Sequence, residues 1–212
     1  MTNLRRILWS IVVIAFAQAA ARSPAPSKET EPCTAEDYAI YAAALTDLFG
    51  NQKHDKVLLI NQTSRDVPPG LAKISVYGGN KVQGFLKDVP KEAKDEFDSH
   101  NKFYAYAKIE EGKISDTVLL SAEDARKLVE GGLGWEEFHT SFPMAHGITV
   151  VSRPGMNSER NRALLYVGTS CERLCGKGVF IFLGKDGKQW KLLNQVTMWS
   201  SPPVPGGGTG GV

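Results

Sequence analysis

The sequence predicts an α+β fold: an antiparallel sheet with a C-terminal β-meander, packed against N-terminal and central helices. Three observations carry this reading. Caps of the form Ser/Thr-x-x-Asp, at Thr34 and Ser121, open segments suited to helix. From Ile148 onward the chain turns to β-branched and aromatic runs joined by spacers of hairpin length. The middle runs are apolar on both parities, with Leu165, Val167, Ile181 and Leu183 on one and Leu164, Tyr166, Phe180 and Phe182 on the other. Strands of that kind need cover on both faces.

The elements follow in order. Met1-Thr-Asn-Leu-Arg-Arg6 is charged, Ile7 to Phe16 is an apolar run, and Ala17-Gln-Ala19 or Ala19-Ala-Ala21 offers an A-x-A exit. Residues 1–21 therefore have the pattern of a cleaved signal peptide, with an apolar run too short to span a membrane. Residues 22–32 are a Pro- and charge-rich tether without periodicity, and residues 201–212 a Pro/Gly-rich tail, both expected to be disordered. Residues 33–200 are expected to form a single domain. Its first helix starts after Thr34, places Tyr38, Ala42, Leu45, Leu48 and Phe49 on one face, and stops at Gly50. Lys56 to Gln62 is a strand, Pro68-Pro-Gly70 a turn, and Leu71 to Tyr77 a short strand. A charged helix runs from Asp88, with Pro90 just inside it, to about His100, and Phe103 to Ile109 alternates as a half-buried strand. Ser121 caps a helix to Glu130, and Trp135 to Ser141 adds a turn or two. The meander is Ile148–Arg153, Arg162–Ser170, Gly178–Leu183 and Gln189–Trp199, with Pro154-Gly155, the cysteine loop and Lys185 to Lys188 as spacers.

Charge excludes some functions. The chain has 25 Lys and Arg against 23 Asp and Glu, and Arg5 and Arg6 leave with the leader, so the remainder is formally neutral. Nucleic acid demands a basic footprint that such a chain lacks. No second apolar segment reaches spanning length, and Cys33, after Glu31-Pro32, lacks the apolar approach of a lipobox. The expected location is periplasmic or secreted.

In an oxidising compartment, Cys171-Glu-Arg-Leu-Cys175 suits a local disulfide staple. A redox reading needs C-x-x-C, one residue shorter, and a metal reading needs two further ligands. Three fates are open to Cys33: a free thiol, an intermolecular pair, or capture of one loop cysteine.

No catalytic constellation, cofactor fingerprint or metal motif stands out. Glu136-Glu-Phe-His139 puts a carboxylate and an imidazole on one helix face, but di-metal sites need that step twice, so a solvated face is the simpler reading. Trp135, Phe138 and Phe142 precede Ser152-Arg-Pro-Gly-Met-Asn157, and an aromatic group with an embedded Arg153 and Asn157 suits a ligand concavity. The competing reading is core aromatics beside a turn that Gly155 and Asn157 fit. The binding candidates are thus Arg153, Asn157, Trp135, His139 and Glu136, with no residue assigned to catalysis.

The segments Gly134-Trp-Glu-Glu-Phe138, Ser152-Arg-Pro-Gly-Met-Asn157, Arg162-Ala-Leu-Leu-Tyr-Val167 and Cys171 with Leu174-Cys-Gly-Lys-Gly178 resemble a family of uncharacterised exported bacterial proteins. Glu36 to Tyr41 and Val57 to Thr63 are similar to its opening segments, so the resemblance covers most of the chain after the leader. It implies export and a single domain, and no reaction. The expected function is a non-enzymatic envelope module that binds a protein, glycan or small ligand. The alternative is a hydrolase-like enzyme whose site gathers Arg153, Asn157, His139 and Glu136 from separate elements.

Overall fold

The structure, a computed structural model, describes residues 32–50, 56–63, 79–101, 106–130, 134–171 and 176–200. Its first helix, α1 (Ala35–Phe49), begins where the cap predicts. Thr34 Oγ1 accepts the Asp37 amide at 3.2 Å, and the Asp37 carboxylate accepts the Thr34 amide at 2.8 Å, satisfying two amides at the helix start. Then come β1 (Val57–Ile60), α2 (Gly79–Asp88) and α3 (Lys91–Asn101). Next are β2 (Thr117–Leu120), α4 (Ala122–Glu130), capped by Ser121 Oγ at 3.0 Å from the Asp124 amide, and α5 (Gly134–Ser141). The chain ends in β3 (Ile148–Val151), β4 (Gly155–Met156), β5 (Arg162–Ser170), β6 (Gly176–Asp186) and β7 (Gln189–Ser200).

The strands form one seven-stranded sheet in the order β2-β1-β3-β5-β6-β7, with β4 pairing beside β3 on β5. From β3 to β7 every pairing is antiparallel, and the meander is present. The other end is parallel: β1 pairs with β2 and with β3 in the same direction. The sheet is therefore mixed, because the chain leaves β1 and returns through helices rather than through hairpins. The two-residue turn after β6 has Gly187 at φ 60°, as its first central position requires.

Two-sided apolarity has its cause in two helical layers. Tyr38, Tyr41, Leu45 and Phe49 of α1 pack on Leu165, Val167, Ile181 and Leu183. On the other face, Phe85 of α2 and Phe97 of α3 cover Leu164, Tyr166, Phe180 and Phe182. Also away from α1, Phe138 of α5 and Ala125 of α4 cover Leu58, Ile60 and Ile148. Among the described residues no helix is long and apolar enough to cross a membrane.

Several expectations need correction. Pro154-Gly155 is not a hairpin turn. It interrupts one long strand into β3 and β4, both lying along β5, because Pro154 has no amide to donate. Ser152 repairs the break: its amide donates to Tyr166 O at 2.9 Å and its Oγ accepts the Tyr166 amide at 2.9 Å. The true turn is at 157–162. The charged helix is present as α3 but starts after Pro90 rather than at Asp88, where a further helix, α2, ends that the sequence reading did not expect. Of the strand expected at Phe103 to Ile109, residues 106–109 make only an isolated bridge, Lys108 to Gln62, and 102–105 lie outside the described residues. So does the strand expected at Leu71 to Tyr77, as do the leader, tether and tail.

Candidate ligand cleft at the carboxyl end of the first helix

In the antiparallel part of the sheet, directly paired residues share a face. Thr149 pairs with Thr169, Thr169 with Lys177, and Lys177 with Ser200, so a polar row crosses β3, β5, β6 and β7. The row lies on the α1 face, since Val151, Val167 and Val179, two positions along each strand, belong to the α1 core. It sits where α1 stops: Phe49 ends the helix, and beyond it the sheet face opens.

A cleft follows this opening. Its upper lobe, about 450 Å³, lies between the last turns of α1 and Lys56, Val57 and Ile114 to Thr117. A waist of about 20 Å³, room for roughly one water molecule, is lined by Phe49, Lys56, His146, Thr149 and Thr169. The lower lobe, about 250 Å³, runs past His146, Thr169 and Cys171 to Lys177 and Ser200. His146 comes close because Gly147 packs backbone to backbone: a Cβ there would stand 2.4 Å from Ser170 O and 2.7 Å from Cys171 Cβ.

The chemistry of the floor is unusual. Thr149 is 2 % exposed and Thr169 4 %, yet neither hydroxyl hydrogen-bonds a described residue. Other buried hydroxyls in the sheet layer have partners: Thr63 Oγ1 accepts the Ala107 amide at 2.9 Å, and Ser152 Oγ that of Tyr166. Neither the Thr149 nor the Thr169 hydroxyl is sealed from solvent as Tyr41 Oη is, so both face the cleft and its water. Lys56 and Lys177 make no ion pair with a described residue.

The residues singled out from sequence lie elsewhere. Trp135, Glu136 and His139 are on α5, the layer opposite α1. Trp135 and Phe138 meet edge to face at 5.0 Å, His139 stands 5.3 Å from the Phe138 ring, and Glu136 is exposed. Arg153 is buried on the α1 side, where its charge acts on Cys33 and Tyr41. Asn157 is committed to the β4–β5 turn: its Oδ1 accepts the amides of Asn161 at 3.0 Å and Arg162 at 2.9 Å, and its Nδ2 donates to Asn161 Oδ1 at 2.9 Å. The structure thus keeps Trp135, Glu136 and His139 together but separates them from Arg153 and from Asn157. Among the described residues no group of His, Cys, Asp and Glu has the arrangement of a metal site.

The Arg153 segment is held by α3. Asn101 Oδ1 accepts the Arg153 amide at 3.1 Å, Asn101 Nδ2 donates to Arg153 O at 2.9 Å, and His100 Nδ1 donates to Pro154 O at 2.8 Å. The Glu96 carboxylate accepts the Met156 amide. These side chains supply the edge of β4 with the partners that a neighbouring strand would have given. Gly155 permits the approach, since a Cβ there would lie 2.2 Å from Ala93 O and 2.3 Å from the Phe97 amide nitrogen.

At the amino end of α1, Lys185 Nζ donates to Glu36 Oε1 at 2.8 Å, and the Trp190 indole N–H donates to the same oxygen. The Lys185 hydrogen bond, aided by Trp190, holds the Glu36 carboxyl below its ordinary value. Cys33 is a buried free thiol, pushed up to about 11 by burial and by the negative charge of Asp37. Cys171 is disulfide-bonded, and 172–175 lie outside the described residues.

The sequence reading missed the cleft. Its signal is thin: polar residues at Thr149, Thr169 and Lys177 on the parity that is apolar elsewhere in the same strands. Comparison with protein-family models, curated proteins and solved structures finds no match for this chain.

Proposed function

We infer that the protein is a non-enzymatic binding module, exported to the periplasm or secreted, whose ligand site is the cleft below α1. One observation carries the reading: Thr149 and Thr169 stand side by side at the waist of a cleft, and their hydroxyls bond nothing in the described fold and face the cleft. Folding gains nothing from that arrangement, whereas a ligand that hydrogen-bonds there gains both orientation and affinity. Ligand sites are where such local inconsistencies concentrate. Export rests on the leader pattern, and the resemblance to exported bacterial proteins agrees with it. A Cys171–Cys175 staple is part of the same proposal, fixing the loop beside the lower lobe. The enzyme alternative draws no support from residues that stand on opposite layers.

The test is a mapping of amide shifts on the isotopically labelled protein against a panel of small polar compounds. Binders that move Thr149, Thr169 and His146 together support the reading. A panel whose binders all map away from these residues removes it.

A further inference from the structure

We propose that the outer edge of β7 is a docking surface for a second copy of this chain, joined strand to strand about a two-fold axis at Val196. The surface is separate from the cleft, and each stands or falls without the other. Among the described residues β7 pairs with β6 alone, at the end of the sheet. A strand paired on one side presents its other row of N–H and C=O groups outward, a template for a further strand. Gln195 meets that need locally, its amide donating to Asn194 Oδ1 at 2.8 Å.

Native edges are blunted by shortness, charge or proline. The opposite edge, β2, is four residues long. β7 has twelve, and from Leu192 to Ser200 it has no charge, no glycine and no proline. α1 lies along one of its faces and α2 along the other, so a new strand joins at the edge.

Self-complementarity selects a second copy over a foreign strand. Leu193 and Trp199, 52 % and 41 % exposed, are two of the three large apolar side chains exposed among the described residues. Both stand on the α2 face: Leu193 lies over Gly184, and Trp199 over Gly178, with its indole N–H donating to Tyr166 Oη at 2.8 Å. Val196, paired with Phe180, is on that face midway between them. The register shifts against β6 make bulges of Leu193-Asn194 and Met198-Trp199, again equally spaced about Val196. An antiparallel pairing in which Val196 meets Val196 therefore sets bulge against bulge. It puts Leu193 of each copy opposite Trp199 of the other, and Gln195 opposite Thr197. Lys191, the one charged residue of β7, falls outside the Leu192–Ser200 overlap, so no like charges meet. Pro202 and Pro203 follow directly and end the pairing.

One strand edge with two Leu–Trp contacts is a small interface, so its Kd is expected on the order of 10 μM. The experiment is sedimentation velocity on the purified protein from about 1 μM to 1 mM, a range that brackets that value. Monomer is expected to give way to dimer as concentration rises. Gln195→Lys/Thr197→Lys sets like charges opposite each other at two exposed positions and is expected to weaken the dimer about tenfold or more. Leu193→Lys, which alters an exposed side chain, should act in the same direction. Gln195→Lys/Thr197→Glu places opposite charges in the same register and should dimerise at least as well as wild type, with circular dichroism confirming that each variant folds. A wild type still monomeric at about 1 mM would overturn the proposal and leave the edge to a strand of another chain. A dimer indifferent to the Lys/Lys pair and to Leu193→Lys would overturn it too, because the contact would lie elsewhere. Loss of the dimer in the Lys/Lys and Lys/Glu variants alike would overturn the register about Val196.

Discussion

Replacing Thr149 and Thr169 by valine puts the central reasoning at risk. Valine keeps the β-branched shape and the strand preference of threonine, so what changes is the hydroxyl. At Thr63 and Ser152 the hydroxyl accepts a buried amide. Removing that acceptor strands an N–H and costs about 1–3 kcal/mol. At Thr149 and Thr169 no described partner is stranded, and the substitution deletes an unpaired polar group. Both hydroxyls face the water of the cleft, so the gain is only a fraction of the roughly 1–3 kcal/mol that a fully buried unpaired group costs. Each single variant should therefore lie between neutrality and about 1 kcal/mol of stabilisation. The double variant should gain up to about 2 kcal/mol, with some departure from additivity because the residues are direct cross-strand neighbours.

Urea denaturation of the four proteins (wild type, the double variant, Thr63→Val and Ser152→Ala) is the assay, read as a midpoint change at constant slope. Thr63→Val and Ser152→Ala should fall, and the double variant should hold or rise. A double variant destabilised by more than about 1 kcal/mol would show that the hydroxyls are bonded within the fold, and the cleft would lose its main support.

Gly155→Ala should destabilise by about 2 kcal/mol or more, since the new methyl meets backbone of α3 rather than a yielding side chain; thermal unfolding measures it. The Cys33 thiol keeps its proton up to about 11, whereas the unfolded chain releases it near the ordinary 9.0. The unfolded state then binds fewer protons, so stability should fall as pH rises from about 9 toward 11, and Cys33→Ser should flatten that limb of the stability–pH curve. Glu36 runs the other way: its folded value is depressed, so its contribution is present above the unfolded carboxyl value and lost as pH falls through the folded one. Glu36→Gln should remove that acid sensitivity without altering the alkaline limb.

Much of the fold was legible because its signals are local. The caps at Thr34 and Ser121 act within four residues, and the apolar parities of β5 and β6 announce two covering layers before any partner is known. What escaped was set by distant partners. The parallel pairing of β1 with β2 and β3 depends on which strand the chain returns to, and β2 is too short to announce itself. α2 was hidden because Gly79 and Gly84 argue against helix, while Val82, Phe85 and Leu86 become a helix face only when Phe180 and Phe182 lie beneath them.

The candidate site was hidden for a different reason. Sequence reasoning looks for residues whose chemistry is conspicuous, and it found Arg153, Asn157, Glu136 and His139. Asn157 is spent on a turn, and the main chain of Arg153 is gripped by Asn101, so their prominence in the sequence is explained by structural work. Thr149 and Thr169 are inconspicuous, because threonine is a good strand former and needs no further reason to stand in a strand. Only the third dimension shows that they are paired with each other, buried, and without a hydrogen-bond partner in the described fold, while Lys177 extends the same row. A functional hydroxyl in a sheet is thus recognised by what it fails to bond. That is why the valine substitutions, harmless to folding and harmful to binding, separate the role of these two threonines from that of Thr63 and Ser152.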